Sequence, residues 1–184
     1  MALPQRGVAT ERTPAALAGA LGRESANDGS AVAERVDEVA RRVDRLSRGL
    51  RDAGLRLTHQ RLEIVRVVAD DETHPDVETV FRAVRERVPT ISLDTVYRTL
   101  ATLVERGLIS RVLFTPGPAR YDAKSARHHH FVCTQCGLIR DVEDADLDAI
   151  QPTAEVACIG RPDAVSVQFR GVCVACQSKE ATAP

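Results

Sequence analysis

Two short cysteine pairs constrain this chain more than anything else in it. Cys133-Thr134-Gln135-Cys136 and Cys173-Val174-Ala175-Cys176 stand with 36 residues between them. A Cys-x-x-Cys turn grips a metal from one side, and two such turns supply the four thiolates of a tetrahedral Zn²⁺ site. Gly137, directly after the first pair, suits the tight turn of such a knuckle. One ion holding both pairs closes residues 133–176 into a single small unit. The rival reading is a thioredoxin-like redox dithiol, but neither pair is expected to open a helix in a βαβ setting. Structural zinc on Cys133, Cys136, Cys173 and Cys176 is therefore adopted. Cys158 stands alone and is expected in the core, where free cysteines concentrate.

A second cluster lies just upstream, in Arg127-His128-His129-His130. On a strand, His128 and His130 share one face and His129 takes the other. Two imidazoles side by side make poor core material and good ligands for a divalent metal. Asp122 and Asp141 are carboxylates close by in sequence. His74 sits in Thr73-His74-Pro75-Asp76, a loop between two helices that can swing it to the site. A set of three His and two carboxylates suits Fe²⁺ or Mn²⁺ better than a soft thiolate set does. The competing reading is a surface His run, with His74 a helix-entry residue.

The remaining chain organises around these clusters. Its 184 residues allow one ordinary domain or two small ones, and 43% apolar content is enough for a core. A net charge of −1 excludes a polybasic coat protein. No apolar run approaches the ~18 residues of a membrane helix, and the N-terminus lacks a secretory signal's apolar stretch, so a cytoplasmic location is expected. Aromatics at 3% and the absence of Trp argue against a stacking platform for single strands. Residues 1–30, rich in Ala, Gly, Ser and Pro, read as a disordered tail. Val32, Val36, Val39, Val43, Leu46 and Leu50 then form a narrow helical seam, either packed on the next domain or pairing as a short coiled coil.

Three helices follow, with Thr58, Asp76 and Ser92 as N-caps, Pro89 stopping the second and Gly107 the third. Leu108–Phe114 and Arg120–Asp122 read as two strands joined by a turn at Thr115-Pro116-Gly117-Pro118. Three short helices and a two-stranded hairpin make the winged helix-turn-helix order. Residues 129–176 read as a small α/β unit, with strands at Phe131-Val132, Leu138-Ile139 and Val165–Phe169 and a short helix over 144–150. The fold class is α+β: a tail (1–30), a winged-helix domain with a leading helix (31–124) and an α/β dimerisation domain bearing the four-cysteine zinc site (125–184). With Leu93, Val96, Leu100 and Leu103 buried, the last helix of the three turns Thr95, Tyr97 and Arg98 outward. Tyr97 and Arg98 can reach bases or phosphates from the major groove of double-stranded DNA. Arg61 is a candidate phosphate contact.

Taken together, Gly54-Leu-Arg-Leu-Thr-His-Gln-Arg61, His74-Pro75, Ser92-Leu-Asp-Thr-Val-Tyr-Arg98, His128-His-His-Phe-Val-Cys133-Thr-Gln-Cys136-Gly137 and the final Cys-x-x-Cys resemble the ferric uptake regulator family over roughly residues 50–178. The resemblance implies a homodimeric, metal-dependent repressor of operator DNA, not an enzyme. It implies structural zinc on the four cysteines and a regulatory Fe²⁺ or Mn²⁺ on His74, Asp122, His128, His130 and Asp141. Iron sensors of the family often carry Glu at the two carboxylate positions. Asp at both is similar to the peroxide-stress regulators, in which iron-catalysed oxidation strikes ligand His; His74 and His128 match those positions. Peroxide is then a signal rather than a substrate. An iron-responsive repressor is the alternative, and a zinc-binding protein-interaction module a further one. The zinc-uptake branch uses a Cys in its regulatory site, and no Cys precedes Cys133. Many members carry a further metal site using a His before the His run and another before the last knuckle. Here Arg127 and a residue near Val165 match those positions, so that site is expected to be absent and His129 to have no metal role.

Overall fold

The computed structural model describes residues 28–112 and 117–181. The elements run α1 (Asp28–Asp52), α2 (His59–Asp70), α3 (Val77–Arg87), α4 (Leu93–Glu105), β1 (Ser110–Val112), β2 (Arg120–Asp122), β3 (His129–Cys133), β4 (Ile139–Val142), α5 (Ala145–Asp148), α6 (Ala154–Ile159), β5 (Gln168–Gly171) and α7 (Val174–Ala181). By its contacts the chain divides into Met1–Arg35 and Val36–Pro184, and the packing below belongs to the second unit. No helix among the described residues is long and apolar enough to cross a membrane.

The expected caps form. Thr58, Asp76 and Ser92 each accept a hydrogen bond from the backbone N–H three residues on, at Arg61, Thr79 and Thr95, so one otherwise orphaned donor of each first turn is satisfied. Gly107, at φ +64°, adopts the left-handed conformation that ends α4. Leu46 and Leu50 of α1 join Ile64, Val65 and Val68 of α2, Val80 and Val84 of α3, and Val96, Leu100 and Leu103 of α4 in one buried core. The front of the α1 seam is different, with Val32 and Val36 exposed. Gly49 permits the close approach of α1 to the end of α4, since a Cβ there would lie 2.3 Å from Leu108 Cδ1. Arg45 fastens the same helix, donating 2.6 Å hydrogen bonds to the carbonyls of Leu108 and Ala123.

β1 and β2 pair antiparallel, Ser110 opposite Asp122. The second sheet has the order β4-β3-β5, antiparallel between β3 and β4 and parallel between β3 and β5. Its register sets His130 between Asp141 on one side and Gln168 on the other.

Several expectations change. The leading helix begins at Asp28, so residues 28–30 belong to it rather than to a tail; the rest of that tail and the strand-and-turn residues 113–116 lie outside the described residues. Leu93 is 46% exposed, because as the first residue of α4 it faces an open cleft with Tyr97, Val77 and Pro118. The last strand starts at Gln168 rather than Val165: the Val167 N–H is taken by the His129 ring, not by the β-ladder. Cys158 is exposed rather than in the core. It sits on α6, a six-residue helix with no buried residue, so its own element offers it no interior.

Candidate metal centres

The first knuckle is built by a turn. The Cys133 N–H donates to the Leu138 carbonyl at 2.8 Å, the Gly137 N–H to the Cys133 carbonyl at 3.1 Å, and Gly137 takes φ +71° to close it. The second knuckle joins the end of β5 to α7, so this pair does open a helix, but no described strand follows α7 and the setting is not βαβ. What separates the arrangement from a redox dithiol is that all four sulfurs converge. Cys133 Sγ lies 4.0 Å from Cys176 Sγ and Cys136 Sγ 3.7 Å from Cys173 Sγ, with every pair within 4.8 Å. A tetrahedron of Zn–S bonds of about 2.3 Å has sulfur–sulfur edges of about 3.8 Å. Backbone N–H groups of Cys136 and Cys173 pull the Cys133 thiol down to about 6, whereas hydrogen bonds with Cys173 and Cys136 push Cys176 up to about 12. One thiolate forms readily and the next is resisted, which is the electrostatics of a donor set made for a cation.

The second cluster draws on four segments. Asp122 ends β2, His128 and His130 flank the start of β3, Asp141 lies in β4, and His74 comes from the α2–α3 loop. That loop is pinned to β2. The Arg120 guanidinium donates to the carbonyls of His74 and Thr73, and the Tyr121 N–H donates to the Pro75 carbonyl at 3.0 Å. His74 itself holds φ +58°, a left-handed conformation few non-glycine residues adopt. It is buried, and its Nδ1 has no hydrogen-bond partner.

The donor atoms meet at short range. His74 Nε2 is 3.0 Å from Asp141 Oδ1, and His128 Nε2 is 2.9 Å from Asp122 Oδ2. The Nε2 atoms of His128 and His130 are 3.1 Å apart. Asp141 Oδ1 also lies 3.7 Å from Nε2 of both. His128 Nδ1 is 2.8 Å from the Ala126 carbonyl, an acceptor only, so Nδ1 carries the proton and Nε2 of the neutral ring is a lone pair aimed at a carboxylate. Lone pairs facing lone pairs need a cation or added protons between them. The ionisation tendencies agree. The hydrogen bond with Asp122 raises His128, while burial lowers His74. Asp122 is held well below the carboxylate range by His128, His130 and the Lys124 N–H despite a burial that works the other way. The chemistry of the donors, imidazole and carboxylate without sulfur, fits Fe²⁺ or Mn²⁺.

Lys124 and Glu143 escaped the sequence reading. Lys124 Nζ lies 3.2 Å from Asp141 Oδ2 and also hydrogen-bonds Glu143 Oε1. A compositional signal was there: the chain has two lysines, and one stands two residues after Asp122. His129 faces away from the cluster, fully buried, and accepts from the Val167 N–H at 3.1 Å. Its Nε2 lies 3.4 Å from Asp148 Oδ1, which Arg127 Nε approaches to 3.5 Å.

On the winged-helix side, Arg61, Thr95, Tyr97 and Arg98 line one open cleft. Tyr97 is 53% exposed, and Arg98 is exposed and pairs with Asp94 at 2.9 Å. The Thr95 hydroxyl is engaged with Ser92 Oγ at 2.9 Å, and Arg61 donates to the Arg56 carbonyl at 2.6 Å.

Winged-helix half, tetrathiol knuckle and a mixed His/Asp cluster spanning both halves define a class of metal-dependent DNA-binding regulators. The profile of the ferric uptake regulator family matches residues 52–157, and the chain belongs to that family. Members of the family are dimeric transcriptional regulators rather than enzymes. The chain is 34% identical over 144 residues to the ferric uptake regulation protein of Bacillus subtilis, covering 76% of this chain and 97% of that one. It is 28% identical over 144 residues to the peroxide-responsive repressor of Staphylococcus aureus, covering 78% and 97%. The solved structure of the Helicobacter pylori ferric uptake regulator superposes with a TM-score of 0.63 at 26% identity, covering 76% of this chain and 93% of that one.

Proposed function

We propose that the protein is a cytoplasmic repressor that senses hydrogen peroxide through iron-catalysed oxidation of a ligand His. Zn²⁺ sits on Cys133, Cys136, Cys173 and Cys176 and stabilises the α/β half. Fe²⁺ or Mn²⁺ sits on His74, Asp122, His128, His130 and Asp141. The observation that carries the peroxide reading is that both carboxylates facing the three imidazoles are aspartates, as in the peroxide-stress branch that the sequence resembles.

The chain's own groups do three things in this scheme. His74 and Asp122 bring the winged-helix half to the cluster and His128, His130 and Asp141 bring the α/β half, so an occupied cluster fixes one half against the other. Fixing the halves fixes the spacing of the two α4 helices in a dimer, and the metal's preference for the closed state becomes DNA affinity. Arg61, Thr95, Tyr97 and Arg98 then meet the operator. Ferrous iron held by these five side chains would supply one electron to split hydrogen peroxide into hydroxide and a hydroxyl radical; addition of that radical to a neighbouring imidazole, with the adduct losing one electron to the ferric ion and one proton to water, would leave an oxygen on the ring. His74, buried with a free Nδ1, and His128 are the residues at risk. An oxidised ring is a poorer donor, the cluster opens and the DNA is released.

The iron-responsive alternative is favoured by the 34% identity to the Bacillus subtilis ferric uptake regulation protein. One experiment separates the two. Protein loaded anaerobically with Fe²⁺ is treated with low hydrogen peroxide and mapped by peptide mass spectrometry, with a Mn²⁺-loaded control. Oxygen on His74 or His128 with iron alone is expected. Unmodified His, with iron retained and DNA binding unchanged, would establish the iron-responsive repressor instead.

A further inference from the structure

We propose that the Lys124 side chain is a built-in counter-cation that weakens divalent-metal binding at the His/Asp cluster and so sets the metal concentration at which the protein responds. The inference rests on that cluster being the regulatory metal site.

The geometry divides each carboxylate in two. Asp122 presents Oδ2 to His128 at 2.9 Å, while its Oδ1 accepts from the Lys124 backbone N–H at 2.8 Å. Asp141 presents Oδ1 to His74 at 3.0 Å, while its Oδ2 lies 3.2 Å from the Lys124 ammonium. One residue thus holds the outer oxygen of both acids. Glu143 fixes the ammonium from its far side, and the Lys124 side chain is only 19% exposed. Asp122, Lys124, Asp141 and Glu143 line one cleft of about 300 Å³ with His74 and Arg42.

Two effects follow, and they act in the same direction. A divalent ion among the imidazoles sits one carboxylate away from a fixed positive charge that water screens poorly. Asp141 is also kept from offering both oxygens to the ion. In the metal-free protein the ammonium offsets part of the charge of the Asp122–Asp141 pair, so the empty site is stabilised as the full one is penalised. The side chain can be removed without touching Asp122, because the hydrogen bond to that residue comes from the backbone.

The test compares Mn²⁺ binding by calorimetry in zinc-loaded wild-type, Lys124→Gln, Lys124→Arg and His128→Ala proteins. Thermal melting is followed with and without Mn²⁺. Lys124→Gln is expected to bind Mn²⁺ about tenfold tighter, to melt lower when metal-free, and to show a larger Mn²⁺-induced rise in Tm. Lys124→Arg, which keeps the charge, should stay within about twofold of wild type. Equal or weaker binding by Lys124→Gln overturns the proposal while leaving the metal site standing. Absence of saturable Mn²⁺ binding in wild type, with His128→Ala indistinguishable from it, overturns the regulatory-site reading and the proposal with it.

Discussion

The two clusters at either end of β3 are built in opposite ways. The four cysteines come from two short turns within one half of the molecule, and each turn sets two ligands at once. The His/Asp cluster takes five side chains from four segments in both halves, and its only local pair is His128 and His130. A site made of local turns survives changes in how the halves are arranged. A site made across the junction reports that arrangement. Permanence and responsiveness are thus written into where the ligands come from, as much as into whether they are sulfur or nitrogen and oxygen.

Four experiments press on this contrast. Cys136→Ser should have the largest effect, with zinc, the α/β fold and the dimer lost together, since structural zinc contributes on the order of 10 kcal/mol to small domains; metal analysis with sedimentation checks this, and a stable zinc-loaded variant would refute it. His128→Ala should keep zinc and the dimer while regulatory-metal affinity, measured by calorimetry, falls more than about 100-fold, because the ring is a direct donor. Arg98→Ala should leave both metal contents intact and weaken operator binding about 30-fold, within the range for a lost bidentate base contact; an unchanged gel shift would remove α4 as the reading helix. Arg120→Ala frees the His74 loop from β2. Regulatory-metal affinity should drop about tenfold with zinc untouched, the size of effect seen when a residue behind a ligand is removed. If zinc fell as well, the two clusters would not be separable in the way described.

Much of this was readable from the chain because metal chemistry demands particular side chains at short spacings. Cys-x-x-Cys and His-x-His announce themselves without knowledge of the fold, and the N-caps at Thr58, Asp76 and Ser92 follow from local hydrogen bonding. Asp141 was within reach for a different reason: its pairing with His130 is a matter of sheet register, and only the family resemblance pointed to it firmly. Lys124 could not be read this way. A lysine has no fixed spacing from its partners, and the role proposed for it depends on Asp141 of β4 and on Glu143 just beyond that strand. Cys158 misled because the burial expected of a residue type says nothing of the element carrying it, and α6 has no buried face. Val165–Val167 alternate as a strand does, yet the His129 ring takes the Val167 N–H.

Strand β3 carries one further implication. His130 lies near its beginning and Cys133 is its last residue, a span of about 10 Å at 3.3 Å per residue. The short strand is therefore a ruler shared by both sites. Without zinc the far end of that ruler is held only by its sheet hydrogen bonds, the Cys133 N–H to Leu138 and the Thr134 N–H to Gly171, and the imidazoles at the near end lose part of their fixed reference. An order of maturation would follow, with zinc first to stiffen the strand and the regulatory ion second. A copy still without zinc would then answer the second ion weakly, and Mn²⁺ titration of zinc-depleted protein would show it.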